Sequence, residues 1–263
     1  MIRKYPLVSF FVITFAWTWG VAGLMLVAPD WVVRHIGPIH FSNPLFYLAV
    51  YGASLTGILM SWVTGGREGL RQLFARLTHW RIGAIWYLLL LLGVPLLSIV
   101  VARVMGTATA PVDGLKQLPM VLAIALFLDP GPIGEEFGWR GFALPRLVER
   151  WGMVPAAILL GAIWGIWHYP AFLIPGLPQA ELDLGFFMVG TIVISVLQAW
   201  FMFRTGGSLL TAILLHLVIN DVPGLFGAQF NDIIAASCLI AATIVLLDRD
   251  FRRGRIAQPG RTA

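Results

Sequence analysis

The chain has 263 residues, 59% of them hydrophobic and only 12% charged, with 11 Trp, 17 Phe and a mean hydropathy of +0.84. A soluble domain carries about 25% charged residues and cannot hide this much apolar surface in one core, so the composition predicts a polytopic membrane protein. It excludes disorder, collagen-like repeats and a disulfide scaffold, since Cys238 is the single cysteine. The net charge of +5 comes from basic residues set between apolar runs, which reads as topology signalling and not as nucleic-acid recognition.

Arg3 and Lys4 precede an apolar run from Leu7 to about Ala28. That run exceeds the about 7–15 residues of a signal-peptide core and lacks a small-residue cleavage pattern, so it is expected to be a retained first span. Crossing about 30 Å of hydrocarbon takes about 20 apolar residues. Segments 7–28, 45–64, 82–104, 117–145, 153–174, 185–204, 207–222 and 232–247 satisfy this, an expected total of eight spans.

Between the second and third, Leu70, Leu73, Phe74, Leu77 and Trp80 recur at helical spacing among Arg67, Arg71 and Arg76. This predicts an amphipathic helix over 67–81 lying in the cytoplasmic interface. The fourth segment is interrupted by Asp129-Pro130-Gly131-Pro132. Such a break survives in lipid where neighbouring groups satisfy the freed backbone, which predicts a kinked or broken helix beside a cavity. Gly161 and Gly165, four apart in the fifth segment, favour close helix packing.

Fifteen of the 18 Lys and Arg fall on one side of this arrangement: Arg3, Lys4, Arg67, Arg71, Arg76, Arg81, Arg140, Arg146, Arg150, Arg204, Arg249, Arg252, Arg253, Arg255 and Arg261. Only Arg34, Arg103 and Lys116 fall on the other. Both termini are therefore expected on the cytoplasmic side of a cell inner or plasma membrane. With no internal repeat or linker, residues 1–248 are expected to form a single transmembrane domain, followed by a short basic cytoplasmic tail over 249–263.

Ionisable groups inside spans cost about 2.5–3.5 kcal/mol each on insertion scales and need a reason. In Gly134-Glu135-Glu136-Phe137-Gly138-Trp139-Arg140-Gly141, Glu136 and Arg140 are four apart and can pair on one helix face. Glu135 then points about 100° away and is left available. His168 lies in the fifth span; His216 and Asn220 lie four apart in the seventh. Alone, each reads as a satisfied structural group, and Trp164 and Trp167 as packing or interfacial aromatics. Together, two carboxylates, two histidines and an amide on three apolar helices suit water activation by a carboxylate or imidazole, with donors for a developing oxyanion. They are assigned to the cytoplasmic half. His35, His40 and His79 fall in loops or at the interface and receive no role.

The series Glu135-Glu136-x-x-x-Arg140, Trp164-x-x-x-His168 and His216-x-x-x-Asn220 resembles the motifs of the CPBP family of intramembrane proteases. That family includes the type II CAAX prenyl endopeptidases and the bacterial abortive-infection proteins. The resemblance is concentrated between about residues 130 and 222, within a motif core of about 117–222, and Trp164 stands where the family more often has Phe. It implies an all-α fold of about eight transmembrane helices around a catalytic cavity facing the cytoplasm, and hydrolysis of a peptide bond by an endopeptidase. It also implies that Glu135 acts with His168 on water, that His216 and Asn220 stabilise the oxyanion, and that Glu136 and Arg140 shape the site.

No cofactor is favoured. Zinc held by Glu135, His168 and His216 is the alternative, although there is no His-Glu-x-x-His and Asn suits an oxyanion better than zinc. Two other function classes stay open at this stage: a transporter or proton relay, and a non-catalytic membrane scaffold or immunity protein. The expected partners are the lipid bilayer and a peptide or protein substrate, membrane-associated or prenylated. Substrate identity and oligomeric state are not encoded in any motif.

Overall fold

The computed structural model describes residues 2–108 and 116–255. The expectations for residues 256–263, Arg261 among them, lie outside the described residues. Helices α1 (Pro6–Val27), α2 (Pro29–His35), α3 (Pro44–Leu77) and α4 (Ala84–Met105) make up the first part of the fold. Then come α5 (Leu118–Leu128), α6 (Pro130–Glu136), a π-helix (Phe137–Ala143) and α7 (Leu144–Trp151). The chain continues through α8 (Met153–Trp167), α9 (Tyr169–Phe172), α10 (Leu184–Arg204), α11 (Leu209–Asp221), α12 (Phe230–Leu247) and α13 (Arg249–Arg252). No strand occurs among the described residues.

Local chemistry sets these boundaries. Asn43 caps α3, its side chain accepting from the Leu45 amide, with Pro44 at the first helical position. Gly66 (φ 61°, ψ −146°) then breaks the helical path inside α3, a backbone geometry open to glycine at little cost. This turns residues 67–77 away as the expected amphipathic segment: Leu73 is buried while Arg67 and Arg71 are exposed. At the expected break, Asp129 ends α5 and caps α6 by accepting from the Gly131 amide at 2.9 Å. The two parts meet at a bend of 44°. Gly161 and Gly165 let α8 lie against α10, since a Cβ on Gly161 would sit 2.5 Å from the Ile192 Cα.

Six helices are long and apolar enough to cross a bilayer, and the bent stretch 116–151 makes a seventh if counted as one span. The remaining expected span, 153–174, is a single regular helix only over the 15 residues of α8. At 1.5 Å per residue α8 rises about 22 Å, short of the hydrocarbon thickness, so the count of eight is not reached by helix length. The chain leaves the α8 path at His168.

A continuous apolar core runs from Phe10 on α1 to Phe251 on α13. The segment after residue 248 is thus docked at its start: Phe251 is fully buried within α13.

The helices run alternately between two ends. Helix α1 is antiparallel to α3, with Thr18 Oγ1 donating to the Ala49 carbonyl and the Trp17 indole to that of Leu48, both at 2.8 Å. One end collects the start of α1, residues 67–81, α7, the 205–208 turn and α13. It is stitched by Arg76 to the Gly207 carbonyl (3.1 Å), Ser208 to the His79 carbonyl (2.7 Å) and Arg204 to Asp248. The other end holds α2, residues 36–43, 168–183 and 222–229. There Ile39 packs with Met25, Ile174 and Leu177, and Thr107 donates to Asp232 at 2.8 Å.

Candidate active site

Glu135 and Glu136 close α6 immediately before the π-helix. Adjacent helical positions diverge by about 100°, so the two carboxylates enter different surroundings. Glu136 turns inward. Its Oε1 accepts from Arg140 Nη1 (3.0 Å), His216 Nδ1 (2.7 Å) and Gln198 Nε2 (3.0 Å). Glu136, Arg140 and Gln198 are all 0% exposed. The expected Glu136–Arg140 pair is therefore present, and Gln198, which the motif reading missed, fastens it to α10 and to the Ala212 carbonyl on α11.

The π-helix carrying Arg140 opens the backbone ladder, and such segments recur at functional sites. Carbonyls of this turn are partly satisfied from outside: Arg76 donates to Gly141 O (2.9 Å) and Arg140 O (3.2 Å). Arg76, expected only as surface charge on an amphipathic helix, thus also holds the turn that bears Arg140.

Glu135 turns to the opposite side. Its Oε2 accepts from the Trp164 indole N–H at 2.5 Å, and its Oε1 lies 3.9 Å from His168 Nε2. His168 Nδ1 sits 2.8 Å from the Trp164 carbonyl. A carbonyl only accepts, so Nδ1 carries a proton, and Nε2 is the ring nitrogen that faces Glu135. The separation of 3.9 Å is too long for a direct hydrogen bond and short enough for one water bonded to both atoms.

Trp164 is the residue that the sequence reading undervalued. Besides holding Glu135 and His168, its ring lies edge-on to both His168 and His216, with centroids 5.5 Å away in each case. The Arg140 guanidinium stands over it at 4.3 Å, a cation–π contact. The signal available in the sequence was a donor-bearing indole four residues before His168; a Phe there would keep the backbone carbonyl that meets His168 but could not donate to Glu135.

His216 points Nδ1 at Glu136 and lines the same cavity as Glu135 and His168. One turn further on α11, Asn220 donates from Nδ2 to Asp129 Oδ2 at 2.9 Å. Asp129 thereby ties the α5–α6 break to α11, a role its place in the interruption did not disclose. Glu135, Trp164, His168, His216 and Asn220 all line one cavity of about 710 Å³, whose walls are otherwise mostly apolar. Glu136 and Arg140 stand behind the wall.

Among the described residues there is no group of three or more His, Cys, Asp or Glu side chains arranged to hold a metal ion. The direction of the cavity also separates two expectations that had been placed together. Its lining includes Met25, Phe41, Phe46, Leu177 and Phe230, from the end of the fold opposite the arginine-rich one. A basic end in the cytoplasm and a cavity facing the cytoplasm cannot both hold.

Residues 115–222 match the family described as type II CAAX prenyl endopeptidase Rce1-like. A curated relative, CAAX prenyl protease 2 of Methanococcus maripaludis, is 31% identical over 125 residues, covering 44% of this chain and 46% of the relative. The chain thus spans about half the length of that relative. Every residue of the cluster from Asp129 to Asn220 lies inside the matched stretch. In a polytopic all-α membrane protein, residues 115–222 match the Rce1-like type II CAAX prenyl endopeptidase family, as the series of glutamate, histidine and asparagine motifs implied.

Proposed function

We propose that this protein is an intramembrane endopeptidase that hydrolyses a peptide bond by direct water attack, with both termini in the cytoplasm. The observation that carries the reading is the 3.9 Å separation of Glu135 Oε1 and His168 Nε2 on one cavity wall, with the neutral form of the ring supplying a lone pair at Nε2. A water held between them gives up a proton to this pair as its oxygen adds to the scissile carbonyl carbon. The carbonyl oxygen becomes an oxyanion that accepts hydrogen bonds from Asn220, whose amide keeps a second N–H beyond the one given to Asp129, and from Nε2 of His216 in its doubly protonated form. Collapse of the tetrahedral species breaks the C–N bond, and the proton taken from water leaves with the amine.

In this reading Glu136, Arg140 and Gln198 are positioning residues: they fix His216 and bear on no reacting atom. The mostly apolar walls suit a hydrophobic peptide or a membrane-associated protein, with or without a prenyl chain. The relative's name points to prenylated CAAX proteins as the first substrates to try.

The test is cleavage of a farnesylated CAAX peptide and its unprenylated counterpart by the purified full chain in detergent, read by mass spectrometry. Loss of the product in Glu135→Gln and His168→Ala, with the thermal unfolding of both variants unchanged, is the expected result. Full activity in Glu135→Gln would remove the proposal. Cleavage that survives a strong chelator is expected as well, because no step requires a metal.

A further inference from the structure

The catalytic cavity and the basic residues occupy opposite ends of the fold. The basic end carries the start of α1 with Arg3 and Lys4, the 67–81 segment, α7 with Arg146 and Arg150, the end of α10 with Arg204, and α13 with the arginines that follow it. At the other end the described residues include only Arg34, Arg103 and Lys116 as lysine or arginine. The connections are short, which is the regime in which Lys and Arg placement sets orientation; Asp and Glu contribute little. The basic end is therefore the cytoplasmic one.

The cavity does not reach that end. It is walled by the last turns of α1, the first turns of α3, α10 and α12, and the segments 168–183 and 222–229. Beneath Glu135, on the basic side, Phe10, Trp139, Phe142 and Leu209 are all fully buried, with Phe10 packed on Trp139 and Phe142 at 5.4 Å. This aromatic floor closes the route from the site to the cytoplasm.

We propose that the cavity opens on the extracytoplasmic side of the membrane, and that what enters it is an apolar polypeptide segment presented at the outer surface, not a cytoplasmic tail. That the segment is a substrate rests on the endopeptidase reading; the orientation does not. The reaction that supplies such a segment is translocation across, or insertion into, the same membrane.

The test is labelling with a membrane-impermeant maleimide of the full chain in bacterial spheroplasts, in a Cys238→Ala background. Glu181→Cys marks an exposed position in the 178–181 segment beside the cavity mouth, and Gln72→Cys an exposed position at the basic end. The expected result is labelling of Glu181→Cys in intact spheroplasts and of Gln72→Cys only after permeabilisation. The reverse pattern, or labelling of both before permeabilisation, overturns the proposal.

Should neither cysteine react, a green fluorescent protein fused after the last residue decides. Helix α13, the last one before the fusion point, and the cavity mouth lie at opposite ends, so a fluorescent, cytoplasmic fusion upholds the orientation and a dark one overturns it. Labelling reads no cleavage. An outward cavity in a protein whose Glu135→Gln variant still cleaves would remove the peptidase reading alone.

Discussion

Two neighbouring carboxylates, one peptide bond apart, occupy opposite regimes of membrane electrostatics. Around Glu136 the protein has sealed an anion with three donors from three other side chains, 0% exposed at the carboxylate. Around Glu135 it has placed a single indole donor and left the other oxygen facing a cavity and the His168 Nε2. An anion with many fixed donors is a structural element, because each donor lost leaves a buried group unpaired. An anion with one donor and an open side keeps its capacity to take a hydrogen bond from something else, which is what water activation requires.

The largest expected effect follows from the open side of this pair. Glu135→Gln keeps the acceptor for Trp164 and removes the base, so peptide cleavage falls by about 10²–10⁴. Thermal unfolding in detergent stays close to that of the parent. A Glu135→Gln protein that unfolded as readily as a Glu136 variant would erase the distinction between the two carboxylates.

The sealed side predicts the converse. Arg140→Met leaves Glu136 in the interior without its cation, and breaking a buried pair costs about 3–5 kcal/mol of stability. The variant should show a clear drop in unfolding temperature and in folded yield. The fraction that remains folded should cleave at a reduced but measurable rate, since Arg140 touches no reacting atom and acts only through His216 and Trp164.

Much of this contrast was legible in the sequence, for a physical reason. Charged groups are so costly in lipid that Glu135, Glu136, Arg140, His168 and His216 stood out against the apolar helices that carry them. The helical period then paired Glu136 with Arg140 and turned Glu135 away. The proline-glycine interruption likewise announced the α5–α6 bend.

Other features were not legible because they depend on which helix lies beside which. Gln198 is an ordinary polar residue in α10 until α6 and α11 bring Glu136 and Ala212 O to it. Arg76 looks like solvated charge until Gly66 turns its segment under the π-helix. The direction of the cavity, by contrast, was within reach of the sequence: His168 and Asn220 fall late in segments that begin beside Arg150 and Arg204, and the structure makes His168 the end of α8 and Asn220 the penultimate residue of α11, away from the basic residues.

Trp164 sharpens the comparison from between the two carboxylates, as it donates to Glu135 and lies beneath the Arg140 guanidinium. Trp164→Phe keeps the ring and deletes the N–H. A hydrogen bond to a charged group contributes about 1.5–3 kcal/mol. If half of this or more is felt in the transition state, kcat falls by about tenfold. KM should change little, because the indole orients Glu135 and does not grip the peptide. A fall in folded yield with kcat unchanged would instead make Trp164 part of the sealed region.

The smallest effect contrasts the sealed ion pair with a half-buried one that solvent reaches. Arg204 and Asp248 join α10 to the start of α13 at the basic end, with side chains 30% and 12% exposed, against 0% and 0% for Arg140 and Glu136. Burial pushes the Asp248 carboxyl up, but hydrogen bonds from Arg204, the Phe251 amide and the Trp200 indole outweigh it and hold it at about 2, below its ordinary 3.8. A carboxyl lowered on folding adds stability that is fully present above its unfolded value and is lost as pH falls through the folded one. Asp248→Asn should therefore lower the unfolding temperature at neutral pH by the equivalent of less than about 1 kcal/mol, as expected for a solvent-screened pair. The gap between variant and parent should close between pH 3.8 and about 2. The loss of stability in Arg140→Met, by contrast, should persist across the neutral range and resist added salt, because no solvent reaches that pair. An Asp248→Asn gap as large as that of Arg140→Met would mean that the basic end is as closed to water as the region behind the cavity.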